Sequence, residues 1–234
     1  MVKLIIITCL IFISIFITSC RYIILPHSYF NKYTKIISNN EPITTLDINK
    51  VYVLEDTMVT RTYHEYFGFE GKSYIYYFFY KNNLMAQILT PIIINSKVYP
   101  ISMDDLPSYI KNGFFSKPEL SNRIQWTYYV IDQNKLISYD YSMSSSVGYN
   151  TLNRPYLTNS KFIITNYGFI NEEIFNSKKE IDTLNFNLFK PKPISIKPDS
   201  SKSKFIKMYN NYLNTGGRRN YANYKDFEKY INKK

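Results

Sequence analysis

Between residues 46 and 189 the chain contains short runs of β-favouring residues separated by polar turns, and several of these runs alternate hydrophobic and polar residues at every second position. A period of two places successive side chains on opposite faces of a strand and does not fit the 3.6-residue period of a helix. The strongest unit comprises residues 74–80, a turn at Lys81-Asn82-Asn83, and residues 84–89, because asparagine tolerates the positive φ angles of tight turns. The chain is therefore predicted to fold mainly as an antiparallel sheet built from hairpins.

Further segments have the residue types and spacing of strands. In one of them Ile137 and Tyr139 alternate with Ser138 and Asp140, which predicts one buried face and one face toward solvent. About eight or nine strands joined by short turns predict a meander closed into a barrel or curled into a sheet, with a β-sandwich as the alternative. These further segments are residues 51–54, 58–66, 124–131, 136–143, 162–167 and 182–189.

One helix and one linker interrupt or follow this β domain, which is assigned to residues 44–190. Asp104 and Asp105 resemble a helix start and Pro107 suits a first helical turn, so a short helix is predicted near residues 104–112. Residues 191–204 are rich in proline, lysine and serine. Since proline cannot donate to a strand ladder, this segment is predicted to end the sheet and to act as a linker.

The C-terminal tail, residues 205–234, is predicted to be helical and basic, because Phe205, Tyr209 and Tyr212 fall at helical spacing. Residues 190–234 contain 12 basic and 3 acidic residues, whereas residues 21–189 contain 16 and 15. One interpretation is contact with anionic lipid, cell-wall polymer or an envelope protein; the other is that the aromatic stripe packs on the body. The candidate contacts are Lys207, Arg218, Arg219, Lys225 and Lys229.

The N-terminus has the three parts of a signal peptide. Lys3 precedes an apolar run over residues 4–17, which is shorter than the ~20 residues needed to span a bilayer. The sequence Ile17-Thr18-Ser19-Cys20 resembles the bacterial lipobox. This resemblance implies removal of residues 1–19 by cleavage between Ser19 and Cys20, acylation of Cys20, and a lipidated tether over residues 20–43.

The cysteine count limits the chemistry of the mature protein. The chain has two cysteines, of which Cys9 leaves with the signal peptide and Cys20 is consumed by the lipid. The mature domain is therefore expected to contain neither a disulfide nor a cysteine-based metal site. Arg21 follows the lipidated cysteine in place of the aspartate that retains some lipoproteins, which favours an outer-membrane location facing the periplasm or the surface. Nucleic acid is a poor candidate partner for such an exported protein, and none is predicted.

With the lipobox, the hairpin spacing is similar to that of lipocalin-like domains in small bacterial lipoproteins. The Gly-x-Trp signature of lipocalins is absent, since Trp126 stands in the sequence Arg123-Ile124-Gln125-Trp126. The resemblance implies a barrel, and the aromatic run of residues 74–80 on this anchored β domain predicts binding of an apolar or amphipathic ligand. The aromatic run of residues 74–80 either lies in the core or lines such a site, and its candidate ligand-facing residues are Tyr74, Tyr76, Phe78 and Tyr80.

Residues for common catalytic chemistry are few. His27 lies in the tether, and His64 stands beside Glu65, where neighbours on a strand would point to opposite faces. The pairs Asp104-Asp105 and Glu172-Glu173 fit helix starts better than paired catalytic carboxylates. We therefore predict a non-catalytic protein that binds a ligand or partner without cofactor or metal; a hydrolase built around Ser144-Ser145-Ser146 is the least supported class.

Overall fold

The structure, a computed structural model, describes residues 27–39, 46–117, 123–143, 155–177 and 187–215. The chain divides into two compact units, Lys32–Ser203 and the pair of segments Met1–Asn31 and Lys204–Lys234. The predicted signal peptide, with Ser19 and Cys20, lies outside the described residues, and so does the serine run at 144–146.

The described residues form ten strands and five α-helices. The strands are β1 (Lys50–Glu55), β2 (Tyr74–Phe79), β3 (Leu84–Thr90), β4 (Ile92–Ile94), β5 (Lys97–Tyr99), β6 (Ile124–Asp132), β7 (Lys135–Met143), β8 (Pro155–Thr165), β9 (Gly168–Asn171) and β10 (Lys190–Pro193). The helices are α1 (His27–Ser38), α2 (Thr57–Phe67), α3 (Leu106–Lys111), α4 (Glu172–Ser177) and α5 (Lys204–Thr215), with 3-10 turns at Phe114–Ser116 and Ser200–Lys202.

Eight strands form one antiparallel sheet in the order β10-β1-β2-β3-β6-β7-β8-β9, which curls into a nearly closed barrel. The predicted fold class is confirmed. Both predicted hairpins are present, and their turns contain Asn83 at φ +58° and Gln133 at φ +55°. Strands β4 and β5 form a separate two-stranded hairpin.

The barrel closes at a seam between β9 and the residue that precedes β10. Phe169 N donates to Phe189 O at 3.2 Å, and Phe189 N donates to Phe169 O at 2.8 Å. Gly168 has φ +144°, and a Cβ atom built on it would lie 1.9 Å from Phe189 O. Only glycine combines this backbone angle with so close an approach of the two segments.

The centre of the barrel is filled by side chains from alternate strand positions. Tyr77 packs edge to face on Phe189 with ring centroids 4.9 Å apart, and Phe79 packs in the same way on Tyr129 at 5.0 Å. Such aromatic pairs add to the stabilisation that comes from burying their area. The buried members of this inner core are Leu46, Tyr52, Tyr77, Phe79, Met85, Tyr129, Leu136, Phe162, Phe169 and Phe189.

The outer face of β1, β2 and β3 is buried too. Tyr76 and Phe78 belong to a second cluster, in which β4, the chain at Ile101, α3 and the turn at Phe115 cover the sheet. Tyr76 Oη donates to Ile101 O at 3.0 Å inside this layer. Strand β2 is apolar on both faces because one face lines the barrel and the other lies beneath these elements.

The prediction of a strand at residues 58–66 is wrong, because this segment lies in α2. Strands β1 and β2 pair directly with each other, so the intervening segment has no open strand partner. Local contacts then favour a helix: Arg61 Nε donates to Glu65 Oε1 at 2.9 Å, and Gly68, at φ +61°, donates its N–H to His64 O at 3.0 Å. An i,i+4 ion pair and a glycine after the last turn are ordinary sequence indications of a helix. The prediction missed them because the residue types of this segment favour strands.

Two segments predicted as tether or linker are ordered elements. Helix α1 begins within the predicted tether at His27, and β10 pairs with β1 although it contains Pro191 and Pro193. The prolines do not end the sheet, because β10 lies beside the seam and pairs with β1 on one side. The N–H groups that Pro191 and Pro193 lack are therefore not needed for hydrogen bonds to a second neighbouring strand. The predicted strand at residues 182–189 falls mostly outside the described residues, and helix α3 confirms the helix predicted near 104–112.

The smaller unit contains the start of α1 and the helix α5. Phe30 is fully buried there, and its ring lies 5.7 Å from Phe205 and 5.4 Å from Tyr212. Tyr29 and Tyr209 complete this aromatic cluster. The hydrophobic stripe predicted for the tail is therefore packed against a neighbouring helix.

Candidate functional site

One end of the barrel is closed by hydrogen bonds from its own side chains. Tyr129 Oη donates to Tyr80 O at 3.1 Å, and Lys197 Nζ donates to Phe79 O at 2.9 Å and also to Ile48 O. Burial lowers the pKa of Lys197 below its ordinary value. These bonds satisfy backbone carbonyls that the ends of the strands would otherwise leave without partners.

At the opposite end, the inner-facing residues Leu54 of β1 and Ile75 of β2 are apolar, whereas the described ones of β3, β6, β7 and β8 are polar with one exception. We call these residues the mouth: Gln87, Leu89, Gln125, Asp140 and Ser160. Each lies an even number of positions along its strand from a residue of the inner core, so its side chain points to the inner face. Leu89 is 37% exposed, and Gln125 and Ser160 are also exposed, which shows that solvent reaches this inner surface.

Three inner-facing polar side chains form a row across neighbouring strands. Tyr77 of β2 pairs with Gln87 of β3, and Gln87 pairs with Gln125 of β6. Directly opposed side chains in a sheet have their Cβ atoms about 4.5–5.5 Å apart. A phenol and two amides therefore lie within reach of a single small ligand.

Hydrogen bonds hold the remaining polar groups of this region. Gln125 Nε2 donates to Asp140 Oδ2, and Ser138 Oγ donates to the backbone oxygen of Ser160 at 3.5 Å. Thr127 Oγ1 donates to the backbone oxygen of Tyr139. The side chains of Thr127 and Ser138 are buried, with exposed fractions of 3% and 5%, and belong to the wall beneath the mouth.

Tyr77 connects the polar mouth to the aromatic core. Burial raises the pKa of its phenol above the ordinary value, and the negative charge of Asp140 raises it further. The phenol is therefore protonated at neutral pH. Among the described residues, no side chain or backbone group makes a hydrogen bond with Tyr77 Oη, so this hydroxyl remains available as donor and acceptor.

The alternation in β7 was predicted with the wrong face toward solvent. Leu136 is fully buried in the inner core, and Ser138 and Asp140 share its face; Ile137 and Tyr139 lie on the outer face. Tyr139 was expected to be buried because it is aromatic. It is covered from outside instead, since Lys32 Nζ lies 3.7 Å from the centre of its ring. In the sequence, only the hydrophobic Leu136 indicated that the even-numbered residues of β7 point into the barrel.

The four aromatic residues named as ligand-facing candidates, Tyr74, Tyr76, Phe78 and Tyr80, belong to the outer layer. Tyr76 and Phe78 are fully buried there, while Tyr74 and Tyr80 are partly buried against the same cluster. Tyr80 also packs on Trp126 with ring centroids 5.6 Å apart. Contacts within the protein account for their burial, and a role in ligand binding stays a prediction.

The basic tail is described only as far as Thr215. Lys207 lies on α5 and is partly exposed; Arg218, Arg219, Lys225 and Lys229 fall outside the described residues. Because the aromatic stripe of α5 is buried, a contact with an anionic surface would depend on the basic side chains, and this function stays a prediction. None of the described helices is both long and apolar enough to cross a membrane.

The described acidic and histidine residues considered for catalysis stand on helices or beside them, and none occupies an inner-facing strand position. His64 and Glu65 are exposed on α2, and Asp105 is the residue that precedes α3. Glu172 begins α4 and accepts a hydrogen bond from Lys135 Nζ at 2.7 Å, which lowers the pKa of this carboxyl. In the part of the chain that the structure describes, no three His, Cys, Asp or Glu side chains form a group that could hold a metal ion.

The fold defines a mainly β protein whose antiparallel eight-stranded sheet is nearly closed into a barrel. Comparison of the chain with protein-family models, with curated proteins and with solved structures gives no match. Functional conclusions therefore depend on the geometry of the mouth.

Proposed function

We propose that this protein is a lipid-anchored, non-catalytic binding protein of the cell envelope that holds an amphipathic ligand in the mouth of its barrel. The observation that carries the proposal is the change in character along the inner face. That face is aromatic at the barrel centre, and toward the mouth it carries Gln87, Gln125 and Asp140 beside the apolar Leu54, Ile75 and Leu89. A ligand with an apolar body and a polar head group matches both parts.

The polar residues on the inner face are unusual for a small barrel. The inner face of a small barrel is usually filled by apolar side chains. Ser138 and Thr127 are buried on this face with their hydroxyls bonded to backbone oxygens, and the same face is filled by Leu136 and Phe162 nearer the closed end. A site that must present donors and acceptors inside the barrel explains these residues.

Binding is favoured over catalysis by the groups that the mouth offers. Among the described inner-facing residues at this end, the ionisable groups are the carboxyl of Asp140 and the protonated phenol of Tyr77. Taken by themselves, this carboxyl and this phenol of raised pKa do not form the acid and base pair matched to neutral pH that hydrolysis needs. Amides and hydroxyls serve recognition.

A bulky residue that points into the mouth is expected to block the ligand. Ser160 and Lys161 are neighbours on β8, both exposed, and they point to opposite faces. We expect Ser160→Phe to reduce labelling of the inner-face peptides by a diazirine-bearing octanol at least fivefold, because the ring occupies the mouth. The measurement uses the full chain in phosphatidylcholine nanodiscs, with labelled peptides identified by mass spectrometry.

The control for this experiment is Lys161→Phe, which adds the same ring to the outer face. Its labelling should stay within twofold of the wild type. If the wild-type chain shows no labelling of β2, β3, β6 or β8 above that of its surface peptides, or if both variants lose labelling equally, the proposed site is wrong.

If Cys20 carries the lipid anchor, acylation of the chain depends on the sulfur atom of this one residue. Replacing Cys20 by serine removes the sulfur that would carry the lipid, so incorporation of labelled palmitate in a bacterial host should fall to background, and the unprocessed precursor should accumulate. A wild-type chain without label, or a Cys20→Ser chain that retains it, would contradict the lipoprotein assignment. Cys9→Ser is the matched control and should be labelled normally.

A further inference from the structure

Three apolar residues form a row along one side of the mouth. Leu54 of β1 pairs with Ile75 of β2, and Ile75 pairs with Leu89 of β3. Leu54 and Ile75 are partly buried against the inner core, and Leu89 is 37% exposed. Directly opposed side chains have their Cβ atoms about 5 Å apart, so the row is a continuous apolar strip about 10 Å wide. We call these three residues the apolar wall.

The side of the barrel that faces the apolar wall is polar. In the order of the eight strands, β7 is four positions from β1 and β8 is four positions from β2, so these strands face each other across a nearly closed barrel. The inner-facing Asp140 of β7 accepts a hydrogen bond from Gln125, and the inner-facing Ser160 of β8 is exposed. A ligand in the mouth therefore meets hydrocarbon on one side and hydrogen-bonding groups on the other.

The centre of the barrel is occupied by the protein's own rings. Phe79 and Tyr129 are fully buried and pack edge to face at 5.0 Å, and Phe169 stacks on Phe189 at 4.8 Å. Because protein interiors are close-packed, an alkyl chain that pointed down the barrel would have to displace these rings. The apolar wall is the apolar inner surface that a ligand reaches without such a displacement.

We infer that the ligand lies across the mouth, with an apolar side on the apolar wall and its polar groups toward β7 and β8. This inference rests on the proposed function. It names the class of ligand as a facially amphipathic molecule, a rigid apolar body with polar groups along one side, as in a bile acid. Covering the wall removes hydrocarbon from water, which favours binding. A molecule that is polar only at one end would leave its chain in water or against the rings of the core.

Competition between two carboxylates tests this class. The full chain in phosphatidylcholine nanodiscs is labelled with the diazirine-bearing octanol while deoxycholate or dodecanoate is added below its micellar concentration. Each competitor carries one carboxylate, but only deoxycholate has its polar groups along one side. We expect deoxycholate to halve inner-face labelling at a free concentration at least tenfold below that of dodecanoate.

Two results overturn the inference in this experiment. One is equal or better competition by dodecanoate, and the other is no competition by deoxycholate. Absence of inner-face labelling before any competitor is added is the separate failure of the proposed function.

Two exposed leucines provide a matched pair of variants. Leu89 is 37% exposed on the apolar wall, and Leu213 is 52% exposed on α5 in the smaller unit. Leu89→Gln places an amide where the ligand's apolar side would rest, so it should raise the deoxycholate concentration needed for competition about five- to tenfold. Leu213→Gln makes the same change elsewhere and should alter that concentration by less than twofold.

The melting temperatures of both variants serve as the control for folding and should stay close to that of the wild type, because both leucines are exposed. Equal deoxycholate concentrations for wild-type and Leu89→Gln chains overturn the role of the apolar wall.

Discussion

Replacing Gly168 with alanine is expected to lower the free energy of unfolding by about 3–5 kcal/mol, combining backbone strain with a steric clash. The added Cβ would lie 1.9 Å from Phe189 O, and the backbone φ of +144° is one that alanine rarely adopts. The clashing atom is backbone and cannot rotate away. Relief requires the two hydrogen bonds between Phe169 and Phe189 to lengthen or break, and these bonds join β9 to the start of β10.

Gly113→Ala separates the two causes. Gly113 also has a positive φ, +67°, but nothing lies within 4 Å of the position its Cβ would occupy. It should therefore cost only about 1 kcal/mol, the penalty of the backbone angle alone. Urea denaturation of wild-type and variant chains measures both values. Similar small losses for Gly113→Ala and Gly168→Ala would mean that the seam is not closed as described.

Alkaline unfolding between pH 10 and 12 is the second large effect that we expect. Burial raises the pKa of five tyrosines in the folded protein well above the ordinary value of 10. In the unfolded chain these phenols ionise near pH 10, so above that pH the unfolded state binds fewer protons than the folded state. Stability is then fully present below pH 10 and is lost as pH rises toward the folded pKa values. The five residues are Tyr76, Tyr77, Tyr80, Tyr128 and Tyr129.

The size of this effect follows from linkage. At pH 11 each such tyrosine lowers the free energy of unfolding by about 1.4 kcal/mol, and five together lower it by roughly 7 kcal/mol. A domain is typically stable by about 5–15 kcal/mol, so unfolding within this range of pH is expected. Circular dichroism and tyrosinate absorbance should change together in one cooperative step. Smooth ionisation of all tyrosines near pH 10 without loss of circular dichroism would contradict the buried aromatic core.

Tyr77→Phe tests the alkaline mechanism at a single residue. Its phenol makes no hydrogen bond with the described residues, so its removal should change stability at pH 7 little. At pH 11 the variant should be more stable than the wild type by about 1.4 kcal/mol, because one ionising group is gone from the unfolded chain. Equal stability of the two chains at pH 11 would show that Tyr77 ionises normally in the folded state.

Local sequence was sufficient to predict the hairpins and the fold class. Strands β2 and β3 and strands β6 and β7 join through short turns, and asparagine and β-favouring residues specify such units within about 20 residues. Helix α3 was predicted for the same reason, since Asp104 and Asp105 at its start and Pro107 in its first turn are adjacent in the chain. These are features in which each residue's partners are close in sequence.

Predicting which residues form the mouth requires contacts between residues that are distant in sequence. The alternation of Ser138 and Asp140 with Ile137 and Tyr139 was visible, but a period of two does not say which face is the inside. That choice depended on Leu136, and on the cover that Lys32 provides for the outer face at Tyr139. Hydrophobicity alone placed Ile137 and Tyr139 in the interior and Ser138 and Asp140 in solvent, which is the reverse of the structure. It failed because other residues cover the outer face of β7 as well.

The sequence by itself determined that this protein is mainly β, that its hairpins lie where they do, and that its basic residues are concentrated near the C-terminus, because each depends on residue order or composition alone. Only the tertiary structure decided that residues 58–66 form a helix, that β10 tolerates its prolines, and that Gly168 closes the barrel against Phe189. It also decided which face of β7 is internal. The physical reason is that strand pairing and burial join residues distant in sequence, and such contacts override local preference whenever the two disagree.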